Sequence, residues 1–181
     1  VNLTITSQLI INFTMDNVSF GSGYVKSGAS ACVLSTGETA EDTAGCASFN
    51  TPGIVHGLLL ENIGNEYAEV NLSNRNWSSS MIGGTEPGYA WKWSNVSNDV
   101  NVTCEDYNFT GADIIYNTFV NLTSSNYLGE NGNDIGKVLC KKLNYTDGSN
   151  DINITFKLHI PQNAPARTLD DIWFAFATLA S

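Results

Sequence analysis

Hydrophobic and polar residues alternate along the first fifteen positions of the chain. From Val1 to Met15 the odd positions are apolar except Ser7, and the even positions are polar except Ile10. This period of two predicts a half-buried β-strand. At about 3.3 Å per residue the strand would span roughly 50 Å, whereas a globule of this chain length is about 40 Å across. The strand is therefore expected to reach beyond its own domain, towards the sheet of another copy.

The same alternation continues in shorter segments that are separated by turn residues. Strands are predicted at 54–63, 66–72, 100–104, 138–145, 152–160 and 172–179. Gly64-Asn65 is expected to close a hairpin between the 54–63 and 66–72 strands, and 114–122 is compatible with a strand or a short helix. About nine to eleven short strands predict an all-β fold. The expected architecture is an antiparallel β-sandwich or jelly roll with a long N-terminal strand.

Composition adds limits to this picture. The 181 residues are predicted to form one domain, with residues 1–15 as a candidate donor strand. Only 14% of the residues are charged, yet the net charge is −10, which argues against nucleic acid as a partner. No apolar run is long enough for a transmembrane helix, so no membrane insertion is expected. Val1 begins no signal peptide, and the sequence is expected to be a processed, mature form.

Four cysteines without any C-x-x-C spacing favour two disulfides over zinc or thioredoxin-like chemistry. Of the three possible pairings we predict Cys32–Cys46 and Cys104–Cys140. The first would close a loop of about fifteen residues and contribute about 3 kcal/mol. Free buried thiols are the alternative. Disulfides of this kind are typical of extracellular proteins.

Asn-x-Ser/Thr sequons are more frequent than composition explains: eleven are present where about four are expected by chance. The middle residue of each is apolar, so that on a strand the Asn and the Ser or Thr share the outer face. We predict N-linked glycans on an exported surface; accidental sequons on an Asn- and Thr-rich strand face are the alternative. The candidate asparagines are Asn2, Asn12, Asn17, Asn71, Asn76, Asn95, Asn101, Asn108, Asn121, Asn144 and Asn153.

Two glycine-containing loops carry carboxylate and amide oxygens, which are the ligands that calcium prefers. They lie at 130–134 and 147–151, and the candidate calcium ligands are Asp134, Asp147 and Asp151. Neither loop has the EF-hand spacing, and ordinary turns have the same composition. Asp170-Asp171 is either a further contributor or a solvated start of a strand. No other cofactor is predicted.

No catalytic constellation is found. His56 and His159 lie in no H-E-x-x-H pattern and are interpreted as structural, and no G-x-S-x-G, Walker or dinucleotide-binding motif is present. The scattered acidic residues leave a two-carboxylate glycosidase open without indicating a pair. The chain is therefore predicted not to be an enzyme.

Tyr89, Trp91 and Trp93 project from one side of a predicted strand. Such a row is typical of a core or an interface, and less often of a platform on which sugars stack. The core or interface interpretation is favoured, and the platform is kept as the basis of an adhesin hypothesis.

Two segments carry a resemblance to a known group: GLLLENIGNE at 57–66, and IPQNAPARTL at 160–169 leading into Ile172-Trp173-Phe174. The first resembles the strand-turn-strand of secreted β-sandwich surface proteins, including the TasA/camelysin-like group and archaeal bundling pilins. The second is similar to the closing hairpin of archaeal surface-layer and filament proteins. The resemblance implies an extracellular, non-enzymatic archaeal subunit, polymerised in some relatives by donor-strand complementation. The protease activity that the camelysin label suggests is not carried over, because no metalloprotease motif is present.

Together these observations predict a structural subunit of an extracellular filament or pilus, whose partners are copies of itself. Main-chain hydrogen bonds would give continuity, and alternate apolar side chains would fill a groove in the neighbouring copy. The alternatives are a surface-layer lattice protein with the strand paired internally and a glycan-binding adhesin module. The predicted donor-strand residues are Val1, Leu3, Ile5, Leu9, Ile11 and Phe13.

Overall fold

The computed structural model describes residues 4, 6–36, 43–50, 56–96, 99–107, 114–125, 128 and 136–181. Short strands dominate this part of the chain, which confirms the all-β prediction. The strands are β1 (Ile11–Met15), β2 (Tyr24–Val25), β3 (Ala31–Ser35), β4 (Cys46–Ala47), β5 (Leu58–Asn62), β6 (Ala68–Asn74), β7 (Gly88–Asn95), β8 (Cys104–Glu105), β9 (Val120–Asn121), β10 (Lys137–Leu143), β11 (Asp151–Pro161) and β12 (Trp173–Leu179). Single helical turns occur at α1 (Ser78–Met81) and α2 (Val100–Thr103), and Thr43–Gly45 forms a 3-10 turn.

Two antiparallel sheets build the sandwich. Sheet 1 has the strand order β1-β5-β11-β7-β9, and sheet 2 has the order β12-β6-β10-β8. The long strand β11 organises sheet 1, because it pairs with β7 along one side and with β5 and then β3 along the other. Strands β2 and β4 form a separate two-stranded ribbon.

The core contains the alternate, apolar residues of both sheets. From sheet 1, Ile152, Ile154 and Phe156 of β11 are buried, and sheet 2 supplies Val70 and Leu72 of β6. All of these belong to one hydrophobic cluster. Each alternates with more polar neighbours, as expected for strands with one buried face.

Both predicted disulfides are confirmed. Cys32–Cys46 joins β3 to β4, and Cys104–Cys140 joins β8 to β10. The bonded residues are separated by 14 and 36 positions. In the chain-entropy description, loops of these lengths correspond to about 3 and 4 kcal/mol of stabilisation. The second bond matters for sheet 2, because it ties the two-residue edge strand β8 to its neighbour.

The prediction of a hairpin at Gly64-Asn65 is wrong, because the strands on either side of this turn do not pair with each other. Strand β5 pairs with β1 and β11 in sheet 1, whereas β6 pairs with β10 and β12 in sheet 2. The turn therefore carries the chain from one sheet to the other. Because β5 is paired on one side with β1 and on the other with β11, and β6 with β10 and β12, neither strand has an edge left for the other.

Two further segments differ from their predicted structure. Residues 100–104, predicted as a strand, contain the helical turn α2, because the side chain of Asp99 accepts a hydrogen bond from the backbone N–H of Asn101 and caps it. In the segment 114–122, only β9 (Val120–Asn121) is a strand. Side-chain capping and pairing with distant strands determine the secondary structure of these two segments. Hydrophobic alternation alone shows neither effect.

The N-terminal strand is regular over a shorter length than predicted. Strand β1 begins at Ile11, and its register against β5 shifts between Phe13 and Met15. The alternation therefore ends at Phe13, and Met15 is exposed. The predicted donor residues Val1, Leu3 and Ile5 lie outside the described residues.

Candidate assembly site

The N-terminal strand forms one edge of sheet 1. Ile11, Asn12 and Phe13 pair antiparallel with Asn62, Glu61 and Leu60 of β5. The pairing continues beyond the strand towards the N-terminus, because the N–H of Ile63 donates to the carbonyl of Ile10 at 2.9 Å. In the described part of the chain, β5 is the only strand that β1 pairs with.

The side chains of this segment divide as the alternation predicts. Leu9, Ile11 and Phe13 are half-buried and pack against the core, whereas Asn12 is exposed. Ile10, the one apolar residue at an even position, is 41% exposed. One face of the segment is therefore inserted into the sandwich, and the other faces solvent.

Asn65 extends the backbone pairing with the N-terminal segment beyond the end of β5. Its backbone N–H donates to the carbonyl of Gln8 at 2.9 Å, and its side-chain Oδ1 accepts from the N–H of Gln8 at 2.6 Å. Its Nδ2 donates to the carbonyl of Thr6 at 3.0 Å. The amide side chain thus supplies the donor and the acceptor that another strand residue would supply, and it fixes the register of residues 6–8.

Gly64 lets the strand approach the turn closely. A Cβ atom at this position would lie 2.3 Å from the carbonyl oxygen of Gln8 and 2.9 Å from the backbone nitrogen of Ile10. Both atoms belong to the backbone, so neither can move without displacing the strand. The position therefore requires glycine for steric reasons while the strand is in place.

Asn62 stabilises the turn through hydrogen bonds of its buried side chain. Its side chain is fully buried; Nδ2 donates to the carbonyl of Glu66 at 2.9 Å and to that of Leu143 at 3.3 Å, and Oδ1 accepts from the N–H of Gly64 at 3.1 Å. We call Asn62, Gly64 and Asn65 the strand seat. The sequence indicated a turn here but not a binding site, although an Asn next to a Gly is the signal that points to it.

The sequon asparagines differ in accessibility. Asn12, Asn17, Asn101 and Asn121 are exposed, and Asn76, Asn95 and Asn153 are partly exposed, whereas Asn2 and Asn108 lie outside the described residues. Asn71 and Asn144 are buried, which corrects the prediction that these two face outward as glycan acceptors.

Each buried sequon asparagine has its own local cause. Asn71 lies in the middle of β6 between β10 and β12, and it is 1% exposed. Asn144 follows β10 and folds back: its Oδ1 accepts from the N–H groups of Tyr145 and Thr146, and its Nδ2 donates to the carbonyl of Val102. A glycan on either Nδ2 has no room in this conformation.

The candidate calcium ligands are not gathered into a site within the described residues. Asp147 is exposed in a turn that the Ser149 N–H closes by donating to the carbonyl of Thr146, and Asp151 begins β11. Asp134 lies outside the described residues. Across the described ranges, no group of three or more acidic, histidine or cysteine side chains is arranged to hold a metal ion.

The aromatic row belongs to the core. Tyr89, Trp91 and Trp93 are at most 3% exposed and point inward from β7. Trp91 meets Trp173 edge-to-face, with ring centroids 5.1 Å apart. The sugar-stacking alternative is therefore wrong, because the three buried rings offer no face to a ligand.

Asp171, which the sequence left as either a further calcium ligand or a solvated residue, is a hydrogen-bond centre. Oδ1 of Asp171 accepts from the backbone N–H groups of Arg75, Asn76 and Ile172, and Oδ2 accepts from Asn74 Nδ2 and from the Tyr89 hydroxyl, both at 2.9 Å. It therefore connects β6 and β7 to the residue before β12. We call this group the Asp171 centre.

Burial shifts the acid–base behaviour of the Asp171 centre. Desolvation raises the pKa of Asp171 above its ordinary value, although the hydrogen bonds it accepts act in the opposite direction. Desolvation, with the Asp171 charge beside it, also raises the pKa of Tyr89 well above its ordinary value. Tyr89 therefore stays protonated: its hydroxyl donates a hydrogen bond to Oδ2 of Asp171 and accepts one from Trp173 Nε1 at 2.8 Å.

Comparison of the chain with protein-family models, with curated proteins and with solved structures finds no match. In the ranges that the structure describes, no helix is long and apolar enough to cross a membrane. The functional argument therefore depends on the geometry of the strand seat, on the disulfides and on the sequons.

Proposed function

We propose that the chain is a structural subunit of an extracellular filament or pilus, in which the N-terminal strand of one copy completes sheet 1 of the next. The observation that carries the proposal is how the strand seat and β5 hold the N-terminal segment. They bind it through its backbone, and its alternate apolar side chains pack against the core. These are the features of strand addition, in which main-chain bonds give affinity and pockets give register.

The connection between β1 and the rest of the fold is short and exposed. Asp16 and Asn17 are exposed, whereas Val18 and Phe20 already pack against the core. A change of backbone direction at Asp16-Asn17 would move β1 onto the β5 of another copy with the same contacts. Repeating one such head-to-tail contact produces an open fibre.

The apolar side chains of the segment supply only part of the energy that such a joint needs. Burial of a large apolar side chain contributes about 1.5 to 3 kcal/mol, and Leu9, Ile11 and Phe13 are only half-buried. Their gross contribution is on the order of 3 to 4 kcal/mol before the costs of association. The backbone bonds to β5 and Asn65 add to this.

Sequons and disulfides support the extracellular part of the proposal. Both disulfides are formed, and seven sequon asparagines are accessible or partly accessible: Asn12, Asn17, Asn76, Asn95, Asn101, Asn121 and Asn153. Asn12 lies on β1 itself and faces away from the core, so a glycan there is compatible with insertion of the strand.

Exchange of the strand between copies is tested with two single-cysteine variants, Asn12→Cys and Glu61→Cys, which face each other across β1 and β5. The variants are expressed separately, mixed under assembly conditions and oxidised. We expect an N12C–E61C heterodimer on non-reducing gels, because opposite residues of an antiparallel pair have Cβ atoms about 5 Å apart. Residues 12 and 61 of different chains face each other in this register only when the strand is exchanged.

The matched control pairs Asn12→Cys with Glu69→Cys, which lies on β6 of sheet 2. No heterodimer is expected from this mixture. If N12C and E61C do not join between chains, while the N12C/E61C double variant closes its bond within one chain, donor-strand exchange is rejected. The structure favours the surface-layer lattice as the second candidate in that case, because β1 is paired within its own chain here.

A further inference from the structure

Strand β12 has one open backbone edge. It pairs with β6 over all seven of its residues, and in the described part of the chain no strand pairs with its other side. The N–H of Arg75 donates to the carbonyl of Ile172, and the N–H of Ala180 donates to that of Tyr67. Because antiparallel bonding alternates, the even residues of β12 bond to β6, and the odd residues direct their N–H and C=O groups to the open edge.

The open edge lacks the features that usually protect an edge strand. Such strands are often charged, short, bulged or interrupted by proline. The β12 sequence WFAFATL contains no charge and no proline, and its register against β6 runs without a shift. Phe176 is 40% exposed and Leu179 is 59% exposed. The strand thus presents apolar side chains beside unpaired backbone groups.

We propose that β12 pairs antiparallel with β12 of a second copy, around a two-fold axis at Phe176. In this register Trp173 lies opposite Leu179 of the second copy, and Ala175 lies opposite Ala177. Each residue that directs its backbone groups to the open edge then lies opposite another apolar residue. The contact also covers Leu179 and places the two Phe176 rings side by side on the outer face.

Charge favours a second copy of this strand over another partner. The chain carries a net charge of −10, so two copies repel each other wherever their acidic residues meet. Strand β12 carries no charged residue, and pairing it with itself therefore places no like charges opposite each other. The strand is also held in place, since the Asp171 centre fixes the residue before it and Trp173 bonds to Tyr89.

The distribution of sequons agrees with this choice of face. On the strands of sheet 2 that the structure describes, the one sequon asparagine is Asn71, which pairs with Phe176 and is buried. Sheet 1 has exposed or partly exposed sequon asparagines at Asn12, Asn95, Asn121 and Asn153. Glycans at these positions would cover sheet 1, and the partly exposed Asn76, whose Nδ2 donates to the carbonyl of Asp170, lies at the start of β12 and not beside Phe176.

This contact uses a different strand from strand exchange, because β1 belongs to sheet 1 and β12 to sheet 2, although the two strands lie close to each other within the chain. In a filament built by the N-terminal strand, it would join subunits side by side, and in the absence of filaments it would give a dimer. The variants below report the pairing of β12, whereas the N12C and E61C pair reports strand exchange, so the two proposals can fail separately.

The register is tested by cysteine cross-linking of the full chain. In Phe176→Cys the two-fold axis places the new thiols opposite each other, in a non-hydrogen-bonded pair with Cα atoms about 4.5 Å apart. In the control Thr178→Cys, which shares the same outer face, the thiol lies opposite Phe174 of the second copy, far from its own mate. We expect at least about tenfold more disulfide-linked dimer from F176C than from T178C after mild oxidation.

Peptide mapping identifies the linked residues. Equal yields from the two variants, or no dimer from F176C, would overturn the proposal. A mixture of F176C with Asn12→Cys examines the other occupant, the N-terminal strand of a second copy. If that heterodimer exceeds the F176C homodimer, the pairing of β12 with itself is rejected.

A second variant removes a backbone donor without cysteine chemistry. Ala177 directs its N–H to the open edge, so Ala177→Pro deletes a bond between copies and leaves the ladder to β6 complete. Sedimentation is expected to show at least about a tenfold weaker self-association than in the control Ala177→Val, which keeps the N–H. Equal self-association of two folded variants would contradict the proposed contact.

Discussion

Replacing Gly64 with alanine is expected to release the N-terminal strand from the strand seat. The new Cβ would lie 2.3 Å from the carbonyl oxygen of Gln8 and 2.9 Å from the nitrogen of Ile10, so the strand has to move away. This displacement breaks the bonds that Ile63 and Asn65 donate and exposes Leu9. We expect the free energy of unfolding to fall by about 3 kcal/mol in urea titrations followed by circular dichroism.

The same substitution acts on assembly if the strand is exchanged between copies. A loss of about 3 kcal/mol at each joint raises the subunit concentration needed for assembly by about a hundredfold. Sedimentation of assembled material and electron microscopy measure this change. Deletion of residues 1–15 is expected to give soluble, unpolymerised protein, and filaments formed by the truncated chain would contradict the donor-strand proposal.

Ile63→Ala is the matched control for Gly64→Ala. The Ile63 side chain is exposed, and the residue contributes to the seat through its backbone N–H. Its replacement is expected to change stability by no more than about 0.5 kcal/mol. If G64A and I63A behave alike, the close approach at Gly64 is not important for holding the strand. Asn65→Ala, which removes two side-chain bonds, is expected to lie between them at about 1 to 2 kcal/mol.

Local patterns were sufficient to predict several of the strands and both disulfides. Alternation located β11, which has one face in the core, whereas the row of Tyr89, Trp91 and Trp93 located β7 and a largely apolar sequence located β12. Cys32 and Cys46 are close in sequence and lie on neighbouring short strands, which makes their pairing accessible to a spacing argument. The inward direction of the aromatic row followed from the same alternation.

Features that depend on distant partners were not predictable in this way. The strand β5 lies beside β11, about ninety positions away, and nothing near Gly64 in the sequence shows that its turn changes sheets. The burial of Asn71 depends on two neighbouring strands that follow it in the chain. The strand seat itself was missed because the role of Asn65 depends on residues 6–8, which precede it by more than fifty positions.

The Asp171 centre shows the same limit and has a large expected effect. Two adjacent aspartates look alike in the sequence, yet one accepts hydrogen bonds from five groups and the other is exposed. Asp171→Ala would leave Tyr89, Asn74 and backbone N–H groups without their acceptor. We expect a loss of about 3 to 4 kcal/mol in the free energy of unfolding.

Asp170→Ala is the control for this prediction. Asp170 takes part through its backbone carbonyl, which accepts from Asn76 Nδ2, and its side chain is exposed. Its replacement is expected to change stability by no more than about 0.5 kcal/mol. Equal effects of D170A and D171A would show that the buried carboxylate is not a structural centre. Because the centre precedes β12, D171A is also expected to weaken any contact that β12 makes with a second copy.

The raised pKa of Asp171 gives the stability a definite dependence on pH. A carboxyl group whose pKa is higher in the folded chain holds its proton more firmly there than in the unfolded chain, so the folded state gains when this group is protonated. This contribution is complete below the ordinary aspartate pKa of about 4 and is lost as the pH rises through the raised value. Asp171→Asn removes the titration while it keeps an oxygen for the backbone donors. We therefore expect the stability advantage of the native chain over D171N, measured as the difference in unfolding free energy, to shrink as the pH rises through this window. An advantage that grows with pH would show that hydrogen bonds lower the pKa of Asp171.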